Sequence, residues 1–161
     1  IYAQEAIKLT GAEHKQEITD TLLNLGANLV VENLPNILRG KLDPTPQANS
    51  EATYDQLIDK SDGAIDFNKT AVELEREVRA YALWPQSRIK ISGKNLIVTK
   101  AHASDSNNIG SKPGDIIHTS ETKMLGISTK LGILWIDKLK PAGKKEMSAE
   151  AFLAGYGQDL A

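Results

Sequence analysis

Apolar residues recur at two different periods along this chain, and the change of period divides it. Ile18, Leu22, Leu25, Leu29, Leu34 and Ile37 stand three to five residues apart, the spacing of one buried helical face. A short strand is expected ahead of them, over Ile1 to Ile7. Gly26 and Pro35 are expected to kink the helical stretch or divide it in two, and Arg39 and Gly40 to stop it. One strand and one or two helices cannot close a core. Residues 1–40 therefore read as the last fragment of an α/β domain whose sheet lies upstream. A second helix is predicted from Thr70, which stands three residues before Glu73 in the pattern of a capping box. Ala71, Val72, Leu74, Val78 and Tyr81 give it a partly apolar face, and it must end before Pro85.

Beyond Pro85 the period falls to two. Arg88 to Ile91 and Asn95 to Lys100 form a hairpin across Ser92 and Gly93. Runs at Asp115 to Thr119, Met124 to Ser128 and Leu131 to Leu139 follow, the last stopping at Pro141 and Gly143. Five short strands with little helix predict a small, partly closed β-barrel. Ala103 to Gly114, rich in Ser, Asn, Asp and Gly, is expected to be a mobile loop. After the last strand Ser148 is placed as an N-cap. Met147 and Phe152 have the spacing of a hydrophobic staple, and Gly155 suits a left-handed residue ending the helix. Between the two halves, residues 41–66 read as an extended linker. Pro44 and Pro46 favour extension there, and Asp62-Gly63 turns into an extended segment.

Composition narrows the classes of function. With 161 residues, 40% apolar and 25% charged, the chain is globular. It has no cysteine, which excludes disulfides and cysteine-ligated metals and fits a cytoplasmic setting. No apolar run approaches the roughly 20 residues that span a bilayer. There is no leader pattern, and a start at Ile1 reads as a piece of something longer. The net charge of -2 hides an asymmetry. Residues 1–46 hold four basic and six acidic side chains, and residues 47–66 hold one and five. Residues 67–161 hold fourteen basic and ten acidic, a net +4 that permits a polyanionic partner without demanding one.

Candidate chemistry is sparse. His14, His102 and His118 have no second ligand at metal spacing, and a surface or packed structural role is favoured over catalysis for each. No G-x-S-x-G, H-E-x-x-H or phosphate-binding glycine loop occurs. Nothing builds a nucleophile with its base, so the chain reads as a binding module without catalytic or metal-binding residues. Its basic residues fit that reading. Arg88 and Lys90 share one strand face, Lys94 and Lys100 belong to the same hairpin, and Lys140, Lys144 and Lys145 follow the last strand. Lys144 and Lys145 sit on a firm corner between strand and capped helix. They are the first candidates for phosphate contact, followed by Arg88, Lys90 and Lys94, then Lys140. Arg79 is weaker, because it can pair with Glu75. Tyr81, Trp84 and Trp135 could stack on bases, but core packing is the favoured role of both tryptophans.

Four segments in order carry a resemblance. They are Leu42-Asp43-Pro44-Thr45-Pro46-Gln47; Ala52-Thr53-Tyr54 with Asp62-Gly63-Ala64-Ile65-Asp66-Phe67; Val78-Arg79-Ala80-Tyr81 with Trp84-Pro85; and Pro141-Ala142-Gly143-Lys144-Lys145-Glu146-Met147-Ser148 through Phe152-Leu153. From Ile1 to about Tyr156 the chain resembles the C-terminal half of the methionyl-tRNA formyltransferases. The resemblance implies a Rossmann-like domain that uses 10-formyltetrahydrofolate as co-substrate, followed by an OB-like barrel that helps hold initiator tRNA during translation initiation. Residues 1–40 would be the remnant of the first domain, 41–66 the linker and 67–161 the tRNA-binding barrel. It places the family's catalytic Asn, His and Asp upstream of Ile1, so the fragment alone is expected to be inactive. A monomer in the cytoplasm, with the upstream domain of its own chain as neighbour, is expected. Leu57 and Ala64 stand where the family often has Lys and Arg, and Ala82-Leu83 where it commonly has Asn-Pro. The first two changes weaken the linker's part in tRNA contact. Two other readings compete: a non-enzymatic barrel that binds protein, and the second domain of a sugar-nucleotide formyltransferase.

Overall fold

The computed structural model describes residues 1–106, 111–119 and 123–157, with the backbone alone at His118 and Thr119. The chain divides into two compact units, Ile1–Leu57 and Ile58–Ala161.

The first unit is built on one helix, α1 (Lys15–Leu38). Ile1 to Ile7, expected as a strand, form none. Instead the Ile1 ammonium donates to the Thr45 carbonyl at 2.8 Å and the Thr45 amide donates back to Ile1 at 2.8 Å. The helix is also not divided. Gly26 costs it only about 1 kcal/mol of propensity, and Pro35 lies in the last turn, where its ring forfeits a single backbone bond. The stop signal is as read. Gly40 takes φ +64°, and the amides of Gly40 and Lys41 return to the carbonyls of Ile37 and Asn36, the paired bonds of a Schellman motif. The apolar stripe of α1 is only partly covered: Ile18, Leu25, Leu29 and Ile37 are half-buried, Leu22 and Leu34 are exposed, and no α1 residue is fully buried. A helical period marks a face that can pack; it does not supply the partner.

The second unit is the expected barrel. Helix α2 (Ala71–Ala80) opens with the capping box, Glu73 N–H donating to Thr70 Oγ1 at 3.3 Å and Thr70 N–H to Glu73 Oε2 at 2.8 Å. Its buried face is Ala71, Leu74 and Val78, at positions i, i+3 and i+7. Val72 lies off that stripe and is exposed, contrary to the sequence expectation. Then come β1 (Ser87–Ile91), β2 (Lys94–Ser104), β3 (Ile116–Thr119), β4 (Met124–Ser128) and β5 (Ile133–Pro141). The short β6 (Met147–Ser148) pairs with β5 and leads into α3 (Ala149–Tyr156). The antiparallel sheet runs β1-β2-β5-β4-β3. The curled sheet with β1 and β3 at its two ends makes the partly closed OB-like barrel expected from the sequence.

Ser92 and Gly93 close the β1–β2 hairpin with positive φ at both positions, which aligns Ile91 opposite Lys94. Strand β2 runs further than expected and takes in Ala103 and Ser104; the rest of the expected mobile loop includes residues 107–110, which lie outside the described residues. The expectation for His118 likewise lies outside the described side chains. Leu96, Leu125, Leu134, Leu139 and Phe152 are fully buried. Each large apolar side chain placed this way contributes about 1.5–3 kcal/mol. The α3 start is as read: Ala151 N–H donates to Ser148 Oγ at 3.1 Å, and Met147 packs against the cluster that holds Phe152. Gly155 is not its left-handed end. It lies within the helix, which closes on Gly157 at φ -61°.

Candidate nucleic-acid interface

Directly paired residues of an antiparallel sheet point to the same side, so the register sorts the basic residues by face. Ile89, Leu96 and Pro141 are paired in a row and buried, which fixes the inner face. The adjacent row, Arg88, Ile97 and Lys140, is on the outer face, and so is the pair Lys90 and Asn95. Further along, past a bulge in β2, Lys100 stands directly opposite Lys138, both exposed. The next outer row is His102, Trp135 and Gly126, across β2, β5 and β4. Lys140 and Trp135 are five positions apart on β5, about 17 Å at the strand rise. One outer sheet face thus carries Lys90, Lys140, Lys100 and Lys138 and ends in an aromatic row.

Lys94 departs from this row. Paired with Ile91 it belongs to the inner face at the barrel's end, where its ammonium sits 5.3 Å from the centroid of the Tyr156 ring. That is cation–π range. Lys94, Asn95, Pro141, Lys144 and Tyr156 line an open groove of about 370 Å³. Asn95 also lines a second groove, with Ile65, Phe67, Arg88 and Lys90. Lys90, on one side of Asn95, and Lys94 with Lys144, on the other, therefore border one stretch of surface. Lys144 is held by its own amide, which donates to the Pro141 carbonyl at 3.0 Å across a turn whose Gly143 has φ +71°. Lys145 is exposed beside it.

The two arginines are engaged elsewhere. Arg79 makes a two-pronged contact with Glu75, Nε to Oε1 at 2.7 Å and Nη2 to Oε2 at 3.1 Å, with only 16% of its side chain exposed. Arg88 Nη1 donates to the Pro85 carbonyl at 3.1 Å and Nη2 to the Lys60 carbonyl. Its backbone also bridges Ala64, and the Ile65 amide donates to its carbonyl at 3.0 Å. Arg88 thereby fastens the end of the expected linker to β1. Gly63 makes the approach possible, since a Cβ there would lie 2.2 Å from the Gln86 carbonyl oxygen.

No carboxylate among the described residues pairs with Lys90, Lys100, Lys140, Lys144 or Lys145. Lys138 does have one, Glu146 at 3.3 Å. Lys138 is also the residue that sequence reasoning passed over. The signal was present, since Lys138 and Lys140 stand two apart on a strand as Arg88 and Lys90 do. Trp84, favoured as core, is 51% exposed. Trp135 is partly buried, its ring laid over Gly126, where a Cβ would come within 2.6 Å of Cζ3.

A third groove, of about 370 Å³, lies at the aromatic end, lined by His102, Lys123, Met124, Trp135, Asp137, Ser148 and Glu150 among others. His102 Nδ1 is 2.9 Å from Asp137 Oδ1, and Lys123 Nζ donates to Glu150 Oε1 at 2.8 Å. That ammonium holds the Glu150 carboxyl below the usual carboxylate range. Ser, His and Asp in one groove do not make a catalytic triad here. The Ser148 hydroxyl caps α3, and no hydrogen bond joins it to His102 among the described residues. No group of three or more potential metal ligands occurs among the described residues, and no described helix is long and apolar enough to cross a membrane.

Residues 57–157 match the family described as formyl transferase, C-terminal domain. A methionyl-tRNA formyltransferase of Chloroflexus aurantiacus is 34% identical over 161 residues, covering 99% of this chain and 51% of that protein. One of Enterococcus faecalis is 35% identical over 162 residues, covering 100% and 51%. The chain spans about half the length of these curated relatives. Among solved structures, a variant of HypX from Aquifex aeolicus superposes with a TM-score of 0.64 at 21% identity, covering 99% of this chain and 28% of that one. Another HypX structure, solved in complex with tetrahydrofolic acid, gives 0.53 at 22% identity over 81% of this chain and 22% of that one.

Proposed function

This chain belongs to the formyl transferase C-terminal domain family, and from that membership we propose that it is the tRNA-gripping part of a methionyl-tRNA formyltransferase. The whole enzyme moves a formyl group from 10-formyltetrahydrofolate to the amino group of methionine charged on initiator tRNA. That amine attacks as the neutral base, so the transferring site must remove a proton and hold an oxyanion. The described residues of this chain form no such constellation. Their part is positioning: contacts to phosphates fix the orientation of the RNA while its reacting end enters the other half of the enzyme. Folate is the co-substrate of that other half. In this reading residues 1–40 are the end of the transferring domain, with the partly exposed stripe of α1 as its packing face.

The observation that carries the proposal is the clustering of lysines on one outer sheet face and its adjoining corner. Lys90, Lys140, Lys144 and Lys145 take phosphates, with Lys94 at the groove between them. Arg79 and Arg88 serve by holding α2 and the linker in place. A filter-binding titration with initiator tRNA, at low and at moderate salt, tests this. Binding that weakens steeply with salt is expected, each neutralised phosphate adding about 0.7 to 0.9 to the log–log slope. Absence of salt-dependent binding would favour a barrel that binds protein instead.

A further inference from the structure

We propose that the groove beside His102 and Trp135 receives one unpaired nucleobase carrying an exocyclic amino group, from a strand whose phosphates lie on Lys100 and Lys138. The inference rests on the RNA reading above and extends it from backbone contact to base selection.

The geometry separates phosphate from base. His102 is two residues beyond Lys100 on β2, and Asp137 directly precedes Lys138 on β5. Two strand residues cover about 7 Å, the reach from a backbone phosphate to its own base. A phosphate on the lysine pair therefore sends its base toward the aromatic row. The groove's polar groups then select among bases. The Asp137 carboxylate accepts from His102 Nδ1 in the 2.9 Å contact, which fixes the imidazole at the edge of the groove. Asp137 keeps a second oxygen, and Glu150 is tied to Lys123 by one of its two. The Lys123 ammonium in the same groove is engaged by Glu150, so the Asp137 carboxylate leaves an excess of acceptors that disfavours a phosphate and the carbonyl oxygens of uracil. That excess welcomes the amino group of adenine, cytosine or guanine. Trp135 supplies the apolar surface, held in orientation because one part of its ring is laid over Gly126. The volume of about 370 Å³ falls within the range of small-ligand sites, roughly 300–1,000 Å³.

The test uses short single-stranded oligoadenylate, oligocytidylate and oligouridylate, with the Trp84→Phe variant leaving Trp135 as the fluorescent reporter. Oligoadenylate and oligocytidylate are expected to quench Trp135 and to bind on the order of tenfold tighter than oligouridylate. The isosteric change Asp137→Asn, at a half-buried position, should erase that preference while the salt slope stays. Equal affinity for the three probes with Trp135 unquenched, but with the salt slope intact, overturns the base site and leaves the RNA reading standing. Loss of salt-dependent binding to all three overturns both.

Discussion

Lys100 and Lys138 face each other directly across β2 and β5, two ammonium groups at one register position, with the Glu146 carboxylate beside the second. Like charges so placed destabilise a sheet by a few tenths to about 1 kcal/mol. A bound phosphate turns that repulsion into attraction. The double variant Lys100→Met, Lys138→Met is therefore expected to be as stable as the native protein or slightly more so. Its affinity for tRNA should fall, with a log–log salt slope smaller by about 1 to 2. Denaturant titration and binding at several salt concentrations check the two halves; unchanged affinity would remove the pair from the interface.

Lys144 and Lys145 stand on the turn between β5 and β6. Replacing both by Ala should lower the slope by a similar amount without loss of stability, because both side chains are exposed and neither pairs with a described carboxylate. An equal slope in the double variant would assign them to solvent.

Gly126 has no room for a side chain. A Cβ there would stand 2.6 Å from Trp135 Cζ3 and 2.9 Å from Ile133 Cγ2. Gly126→Ala is expected to cost about 1–3 kcal/mol by overpacking. Adding Trp135→Leu should return part of that loss, since the ring is the nearest obstacle. A double-mutant cycle in urea measures the coupling, and strictly additive effects would contradict the stacked arrangement.

Arg88 fastens the linker through the carbonyls of Lys60 and Pro85. Arg88→Met keeps the strand hydrogen bonds and removes both side-chain contacts. Trypsin is then expected to cut after Lys60 several-fold faster, while the β-sheet circular dichroism stays the same. Equal cleavage rates would show that the backbone bridge alone holds this segment.

Glu13 accepts from the Thr10 amide at 2.6 Å, the Thr10 hydroxyl at 2.7 Å and the Gly11 amide at 2.9 Å. These bonds favour the carboxylate and lower the carboxyl from an ordinary value of 4.5 to about 2. The folded value lies below the unfolded one. The stabilisation is therefore fully present above pH 4.5 and is lost as pH falls toward 2. A carboxyl carbon resonance that titrates with a midpoint near 2 checks this; a midpoint near 4.5 would mean the turn is open in solution.

Much of the fold was legible because its signals are local. Thr70 with Glu73, Ser148 with Met147 and Phe152, and Ser92-Gly93 each bring their partners within a few residues, so spacing alone places them. The failures have the same cause turned round. Ile1 to Ile7 have strand composition but no neighbouring strand to pair with. Trp84 has the size of a core residue, and Val72 the chemistry of one, yet both lie off the packed faces. Gly155 can adopt a left-handed conformation, but α3 had a further turn to make.

The sequence by itself determined the hairpin, the capped helices, the barrel class and the excess of positive charge after residue 66, since these follow from short-range pattern and composition. Only the tertiary structure decided which cations stand together. Arg88 and Lys90 share a strand face, but folding gave the first to the linker and left the second exposed. Lys100 met Lys138, and His102 met Asp137, through the register of β2 on β5 across 35 or more residues of chain. Register is set by the packing of the inner face, and the outer face inherits whatever neighbours that packing dictates.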